Sequence, residues 1–323
     1  MAYTDSVVKR ARARLAAAQK EREVTAKEHL EEAYKHQPRL REIDLELRRL
    51  SAAAVCTAIS HGTDPAAAID ALKERSLSLQ NERQWLLDDA GYDDDYLDNS
   101  PVCEKCGGSG YIGALMCECL RELCRQEQKR ELTWLLATGK ESFENFSLDF
   151  YPDTFDPSLG TSARKMMQHN LATCQKYAVS FHKGAGSFLF SGSTGLGKTF
   201  LSGCIAKVVA DSGFSVVYET AAKVFADFEA VKFRGAEESL IRKYLDCDLM
   251  ILDDLGTEMS TQFSISALYT LINSRMVSSK AVIISTNLSP DTLGEKYSPQ
   301  VASRILGSYQ LIPFVGEDIR LMK

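Results

Sequence analysis

The sequence predicts an α/β protein in which a five-stranded parallel sheet, covered by helices, follows an α-helical region with a cysteine cluster. Three observations carry this. From about residue 160, short apolar runs alternate with helix-patterned segments, the alternation that builds a parallel sheet with crossover helices. A glycine-rich stretch, Gly192 to Thr199, sits between one such run and one such helix. The first hundred residues carry helical patterning instead.

Taken in order, the chain opens with a charged helix that Asp5 would cap and that runs to about Lys35, ahead of Pro38. A second helix is expected from Leu40. There Leu40, Ile43, Leu47, Leu50 and Ala54 advance by alternating steps of three and four, forming a coiled-coil-like seam. Gly62 ends it, and Thr63, Asp64 and Pro65 supply a cap and a first-turn proline for a third helix. Ile69, Leu72, Leu79 and Leu86 carry that helix to Gly91. The acidic stretch 88–98 reads as a solvated connection rather than a metal site, since a run of like charge is usually exposed. A helix over 118–136 and a join through SFENFSLDFY lead into the sheet. Strands are expected at 187–190, 215–218, 249–252, 281–285 and 310–314, with helices at 199–211, 221–230, 236–246, 262–277 and 298–306.

A chain of 323 residues accommodates two domains at about 100–200 residues each, and the change of pattern sets them at 1–135 and 136–323. No apolar run approaches the ~20 residues of a membrane span, and the first residues lack a signal-like apolar core. The expectation is a cytoplasmic protein with no membrane association. Of nine cysteines, Cys56, Cys124, Cys174, Cys204 and Cys247 are scattered through helix- and strand-like segments and read as small buried hydrophobes. A net charge of −6 argues against a protein that coats nucleic acid, while leaving room for a local basic patch.

Gly192, Ser193, Thr194, Gly195, Leu196, Gly197, Lys198 and Thr199 match the phosphate-loop pattern, and Phe200 continues into the helix. The preceding apolar SFLF and the following TFLSGCIAKVVA give the strand and helix that the motif requires. Glycines let backbone N–H groups turn inward around phosphates at a helix N-terminus. Lys198 is then the contact to the β- and γ-phosphates of ATP, and Thr199 a ligand of Mg²⁺. The run DLMILDDLG puts Asp253 and Asp254 at the carboxyl edge of the sheet, Asp253 to hold Mg²⁺ and Asp254 to orient or deprotonate the attacking water. Asn287, closing IISTN, can position that water, although its surroundings also suit a plain turn. Arg304, on a late helix, can reach the γ-phosphate of a neighbouring subunit, a solvated surface arginine being the alternative.

Cys103, Cys106, Cys117 and Cys119 lie within one short stretch. A C-x₂-C pair backed by glycines gives the tight turn that tetrahedral Zn²⁺ needs, and the second pair closes a structural Cys₄ site. The C-x-C spacing is tight, which keeps Cys124 as an alternative ligand and redox cysteines as the competing reading.

The succession GSTGLGKT, LMILDDLGTE, IISTN, SRIL and IPFVGEDIR resembles the AAA+ domain of bacterial replicative helicase loaders of the DnaC/DnaI type, with IstB-type transposition helper ATPases as relatives. The resemblance spans about residues 140–323 and implies an ATP-hydrolysing domain. It makes Lys198 and Thr199 the nucleotide and Mg²⁺ contacts, Asp253 and Asp254 the Walker B pair, and Asn287 the sensor 1 residue. Arg304 becomes the arginine finger acting in trans, through which subunits join in a ring or spiral, and Arg320 the sensor 2 arginine. Asp254 stands where most AAA+ proteins carry glutamate, and the shorter arm implies slow hydrolysis. The C-x₂-C-x₃-G-Y pattern likewise resembles the zinc-bearing N-terminal region of DnaI-like loaders. The implied partners are a hexameric DnaB-type replicative helicase and single-stranded DNA. The alternative is a transposition ATPase that binds duplex DNA, and a metabolic P-loop kinase is a third reading. The helical, cysteine-bearing first part fits the loader better. Lys223, Lys232, Arg234, Arg242 and Lys243 are candidates for a DNA-facing surface, with a solvated helix face as the alternative, whereas Tyr218 and Phe225 read as core.

Overall fold

The computed structural model describes residues 3–59, 65–93, 95–135 and 141–321. The expected stop at Gly62 and restart at Thr63 and Asp64 lie outside the described residues, as does residue 136. The chain divides into two compact units, Ala13–Leu120 and Arg121–Lys323 together with Met1–Arg12.

Helix α1 spans Asp5–His36. Its cap is Thr4 rather than Asp5: the Thr4 hydroxyl accepts the Val7 N–H at 3.3 Å, and Asp5 falls in the first turn. Helix α2, Pro38–Ile59, starts on Pro38 itself, since a first-turn residue needs no N–H partner. Helix α3 covers Pro65–Asp89. Helices α2 and α3 run antiparallel, tied by Arg39–Glu82 at 2.9 Å, Arg83–Asp44 at 2.8 Å and Arg75–Glu46 at 3.1 Å. The seam is graded: Leu40 and Ile43 are buried, while Leu47, Leu50 and Ala54 are half-buried. In the acidic connection, Asp88, Asp89, Asp93 and Asp95 are exposed. Asp98 instead accepts from Arg22 at 2.6 Å, and Tyr96 stacks on His29 at 4.1 Å. A two-stranded hairpin, β1 (Tyr111–Ile112) and β2 (Leu115–Met116), precedes α4 at Glu118–Leu135.

Two 3₁₀ turns, Phe143–Asn145 and Leu148–Phe150, replace the expected plain join. The short pair β3 (Phe155–Asp156) and β4 (Thr161–Ser162) leads into α5, Ala163–Val179. The succession is then β5 (Ser187–Ser191), α6 (Lys198–Asp211), β6 (Val216–Thr220), α7 (Ala221–Arg234), α8 (Ser239–Asp246), β7 (Leu249–Leu255) and α9 (Gln262–Val277). It closes with β8 (Ala281–Thr286), α10 (Pro290–Lys296), α11 (Pro299–Ser308), β9 (Tyr309–Pro313) and a 3₁₀ turn at Ile319–Leu321. All five expected strands are present. They form a parallel sheet in the order β6-β7-β8-β5-β9.

Successive side chains of a strand point to opposite faces, so each buried strand feeds two cores. Phe188, Phe190, Leu249, Ile251 and Ile283 pack with Met167 and Cys174 of α5 and Leu201, Ile205 and Val209 of α6. Leu189, Met250, Leu252, Val282 and Ile284 pack on the other face with Val224, Tyr244, Leu268, Ile272, Leu293 and Ile305. Continuous apolar runs such as LMIL are what burial on both faces demands. Cys124, Cys174, Cys204 and Cys247 are buried as expected, but Cys56 is exposed, like Ser51, Ala52, Ala53 and Val55 before it in α2. Among the described residues, no helix is long and apolar enough to cross a membrane.

Candidate ATP site and cysteine cluster

The phosphate loop leaves β5 and enters α6 through three glycines with positive φ: Gly192 (153°), Gly195 (76°) and Gly197 (86°). Two of them are also close approaches. A Cβ on Gly192 would lie 2.3 Å from the Phe314 carbonyl oxygen, and one on Gly195 would lie 1.7 Å from Asp318 Oδ1. The segment after β9 is thus laid along the loop, where Ile319 N–H donates to the Gly195 carbonyl at 3.1 Å. On its other side, Tyr151 donates to the Leu196 carbonyl at 3.0 Å. Phe146 sits between Tyr151 and Phe200, with ring centroids 5.8 and 5.9 Å away.

Lys198 is buried, and its Nζ donates to the Gly192 and Ser193 carbonyls at 2.7 and 2.6 Å. Burial lowers its pKa, against the pull of Asp254 and Asp253. Thr199 Oγ1 lies 3.4 Å from Asp253 Oδ1. Asp253, only 4% exposed, also accepts from the Ser285 hydroxyl on Oδ1 and from the Tyr218 hydroxyl on Oδ2, the latter at 2.7 Å. The β7–β8 register shifts between Leu252 and Leu255. This bulge re-aims successive side chains: Asp253 stays buried, while Asp254 takes φ 54° and is exposed. Aspartate is one of the few residues that adopts this conformation readily. Its backbone N–H is held by Ser285 Oγ at 3.0 Å. Although the residue is exposed overall, desolvation of the carboxyl and the neighbouring Asp253 raise its pKa, against Lys198 and Arg320.

Arg320, in the last 3₁₀ turn, donates its N–H to Asp318 Oδ1 at 2.9 Å, and its charge opposes the rise of the Asp254 pKa. Asn287 is exposed just beyond β8, its Oδ1 3.2 Å from where a Gly256 Cβ would be. Arg304 is engaged elsewhere. Its guanidinium lies 4.8 Å over the Tyr269 ring and donates to the Tyr269 hydroxyl at 2.8 Å. Phe146, Tyr151, Tyr218, Ser285 and Asp318 are contributions that sequence reasoning misses. Four aromatics in ten residues of the SFENFSLDFY join are a signal from which Phe146 and Tyr151 could have been found.

In the first unit, the Sγ atoms of Cys103, Cys106, Cys117 and Cys119 lie within 4.8 Å of one another. Cys103 and Cys117 are 3.8 Å apart, and Cys106 and Cys119 3.5 Å. Gly107, Gly108 and Gly110 take positive φ behind the first pair, and the Gly110 N–H donates to Cys106 Sγ at 3.3 Å. Cys124 is a separate buried thiol whose pKa burial pushes up to about 11.

The strand order, the phosphate loop after β5 and the acidic end of β7 define an ATP-binding P-loop protein of AAA+ architecture. The chain belongs to the family of IstB-like ATP-binding proteins, whose family model matches residues 145–308. A replicative helicase loader DnaC of Buchnera aphidicola subsp. Baizongia pistaciae is 27% identical over 151 residues, 45% of this chain and 61% of that relative. The DnaC loader of Buchnera aphidicola subsp. Acyrthosiphon pisum is 24% identical over 186 residues, 56% of this chain and 72% of the relative. Among solved structures, the DnaC helicase loader superposes with a TM-score of 0.45 at 21% identity, covering 54% of this chain and 98% of that one. DnaI gives 0.45 at 17% identity, covering 58% and 92%.

Proposed function

We propose that this protein is an ATP-dependent loader of a hexameric DnaB-type replicative helicase onto single-stranded DNA. What supports the reading is the grouping of phosphate-loop and acidic-strand residues in one chain, with the late-helix arginine lying apart from them. Thr199 meets Asp253, and Lys198 feels both Asp253 and Asp254, whereas Arg304 is held on Tyr269. Such a site reaches full activity when a neighbour supplies its arginine. Curated relatives named as helicase loaders support the choice of pathway.

In this reading the phosphate loop binds ATP, and Lys198 exchanges its loop carbonyls for phosphate oxygens. The hydroxyl of Thr199 and a carboxylate oxygen of Asp253 are hard donors suited to Mg²⁺. When bound there, Mg²⁺ would neutralise charge between the β- and γ-phosphates. Asp254 takes the proton of the attacking water, Asn287 orients that water, and Arg320 and a neighbour's Arg304 stabilise the charge of transfer. The short arm of Asp254 makes turnover slow and suits a timing switch. The four thiolates fit structural Zn²⁺: Zn–S bonds of about 2.3 Å imply tetrahedral edges of about 3.8 Å, and the paired sulfurs lie 3.8 and 3.5 Å apart. Four thiolates leave no open catalytic position. We assign helicase contact to the helical region 1–135 and ATP chemistry to 136–323, in the cytoplasm. Lys232, set 5.4 and 5.3 Å from the Phe233 and Phe263 rings, supports single-stranded DNA contact at the end of α7.

The test is gel filtration of the full chain with a hexameric replicative helicase, with ATP and with or without a zinc chelator. A co-eluting complex that dissolves with chelator is expected. Absence of a complex in every condition, or binding to duplex DNA without helicase, overturns the reading.

A further inference from the structure

Asp253 is a buried carboxylate at the end of an apolar strand, and the terminal torsion of an aspartate is broad and two-fold. Nothing intrinsic to the residue therefore decides which oxygen faces Thr199. Its surroundings do. Tyr218 pairs with Ile251 in the β6–β7 register, two residues short of the pair formed by Thr220 and Asp253. From that position its ring lies in the core shared with α6, and its hydroxyl meets Asp253 Oδ2 at 2.7 Å and Ser202 Oγ of α6 at 3.2 Å. A carboxylate can only accept, and a phenol has one proton to give, so that proton goes to Asp253 and leaves the phenol oxygen to Ser202. With Oδ2 fixed, Oδ1 is turned to Ser285 and to Thr199.

We propose that Tyr218 is a positioning residue for Asp253, fixing the rotation that presents one carboxylate oxygen to the divalent cation beside Thr199. This rests on Asp253 being the metal-side carboxylate. The tyrosine also ties the phosphate-loop helix to the acidic strand, because Ser202, three residues after Thr199 in α6, lies 3.2 Å from the same phenol oxygen and can meet it only as donor. Phenylalanine at this position fills the same space and removes the donor alone.

The experiment titrates Mn²⁺ by electron paramagnetic resonance into full-length protein saturated with a non-hydrolysable ATP analogue. It compares the wild type, Tyr218→Phe, Asp253→Asn and the double variant. Tyr218→Phe is expected to weaken Mn²⁺ about tenfold, the scale of one hydrogen bond to a charged group. Its nucleotide affinity in chelator should stay within twofold of wild type, and the Mn²⁺ spectrum should broaden. In the Asp253→Asn background the same change should add nothing, which a general packing defect would not reproduce. If Asp253→Asn leaves Mn²⁺ affinity intact, the reading of Asp253 is wrong. If Asp253→Asn weakens it while Tyr218→Phe remains within twofold of wild type, the proposal itself fails. A fold lost through Tyr218→Phe, seen as collapse of the circular dichroism spectrum, would also overturn it, by making the residue a core support.

Discussion

Replacing Gly195 by alanine tests how the phosphate loop is held in shape. At φ 76° an L-residue carries the left-handed penalty, about 1–2 kcal/mol. The new Cβ would also lie 1.7, 2.2 and 2.7 Å from Oδ1, Cγ and Oδ2 of Asp318. No side chain tolerates that, so Asp318 must swing away. It then gives up the Arg320 N–H it accepts at 2.9 Å and loosens the bond from Ile319 N–H to the Gly195 carbonyl at 3.1 Å. Losing one such bond adds about 0.5–1.5 kcal/mol. The sum, about 1.5–3.5 kcal/mol, corresponds to roughly 10- to 400-fold in affinity. Titration of a fluorescent ATP analogue should show that loss in Gly195→Ala. In the double variant with Asp318→Ala the clash is gone, so the Ile319–Gly195 bond should return, while the loss of the Asp318–Arg320 bond and the part due to φ remain. A dissociation constant within threefold of wild type, or no recovery in the double variant, would refute the reasoning.

Arg304→Ala should bind ATP within about twofold of wild type and lose hydrolysis by roughly a thousandfold. Mixing it with Lys198→Ala chains should restore turnover, since one contributes an intact site and the other an intact arginine; wild-type monomers that hydrolyse at full rate would contradict this. Asp254→Asn should abolish hydrolysis and raise the melting temperature at pH 7. The raised carboxyl pKa means that folding disfavours the charged form there, and the gain should vanish as pH falls below the ordinary aspartate value of 3.8. A lower melting temperature at pH 7 would reverse that sign. Elemental analysis should find one zinc per chain, lost in Cys119→Ser and retained in Cys124→Ser; the opposite pattern would exchange the two ligands.

The sheet was legible because its central strands β5, β7 and β8 are buried on both faces and read as apolar runs, whereas the edge strand β9 exposes Gln310, Leu311 and Pro313. The phosphate loop was legible because its residues are contiguous. Other features depend on partners far apart in the chain. Tyr218 and Asp253 meet through strand pairing, Asp318 meets Gly195 through the return of the last segment, and Tyr269 meets Arg304 through the packing of α9 and α11. Helix α5 carries a stripe of Met167, Leu171, Cys174 and Ala178, yet its charged and polar residues mask it in a single sequence. Arg275 is the clearest limit. It is one charged residue in the helix 262–277, yet it is fully buried, donating to the Tyr244 and Ala281 carbonyls at 2.6 Å each. Cap choice is local yet equally hidden, as Thr4 in place of Asp5 illustrates.

Strand β6 passes into α7 with no intervening loop, Thr220 serving as both its last residue and the helix cap. Mechanically this is a rigid crank. Tyr218 is two residues from the pivot, and α7, of 14 residues, is an arm of about 21 Å at 1.5 Å per residue. A tilt of about 3° at Thr220 therefore sweeps the far end, where Lys232 and Phe233 sit, through about 1 Å. Any tilt that reached Thr220 would be geared up along that arm before it arrived at the far surface.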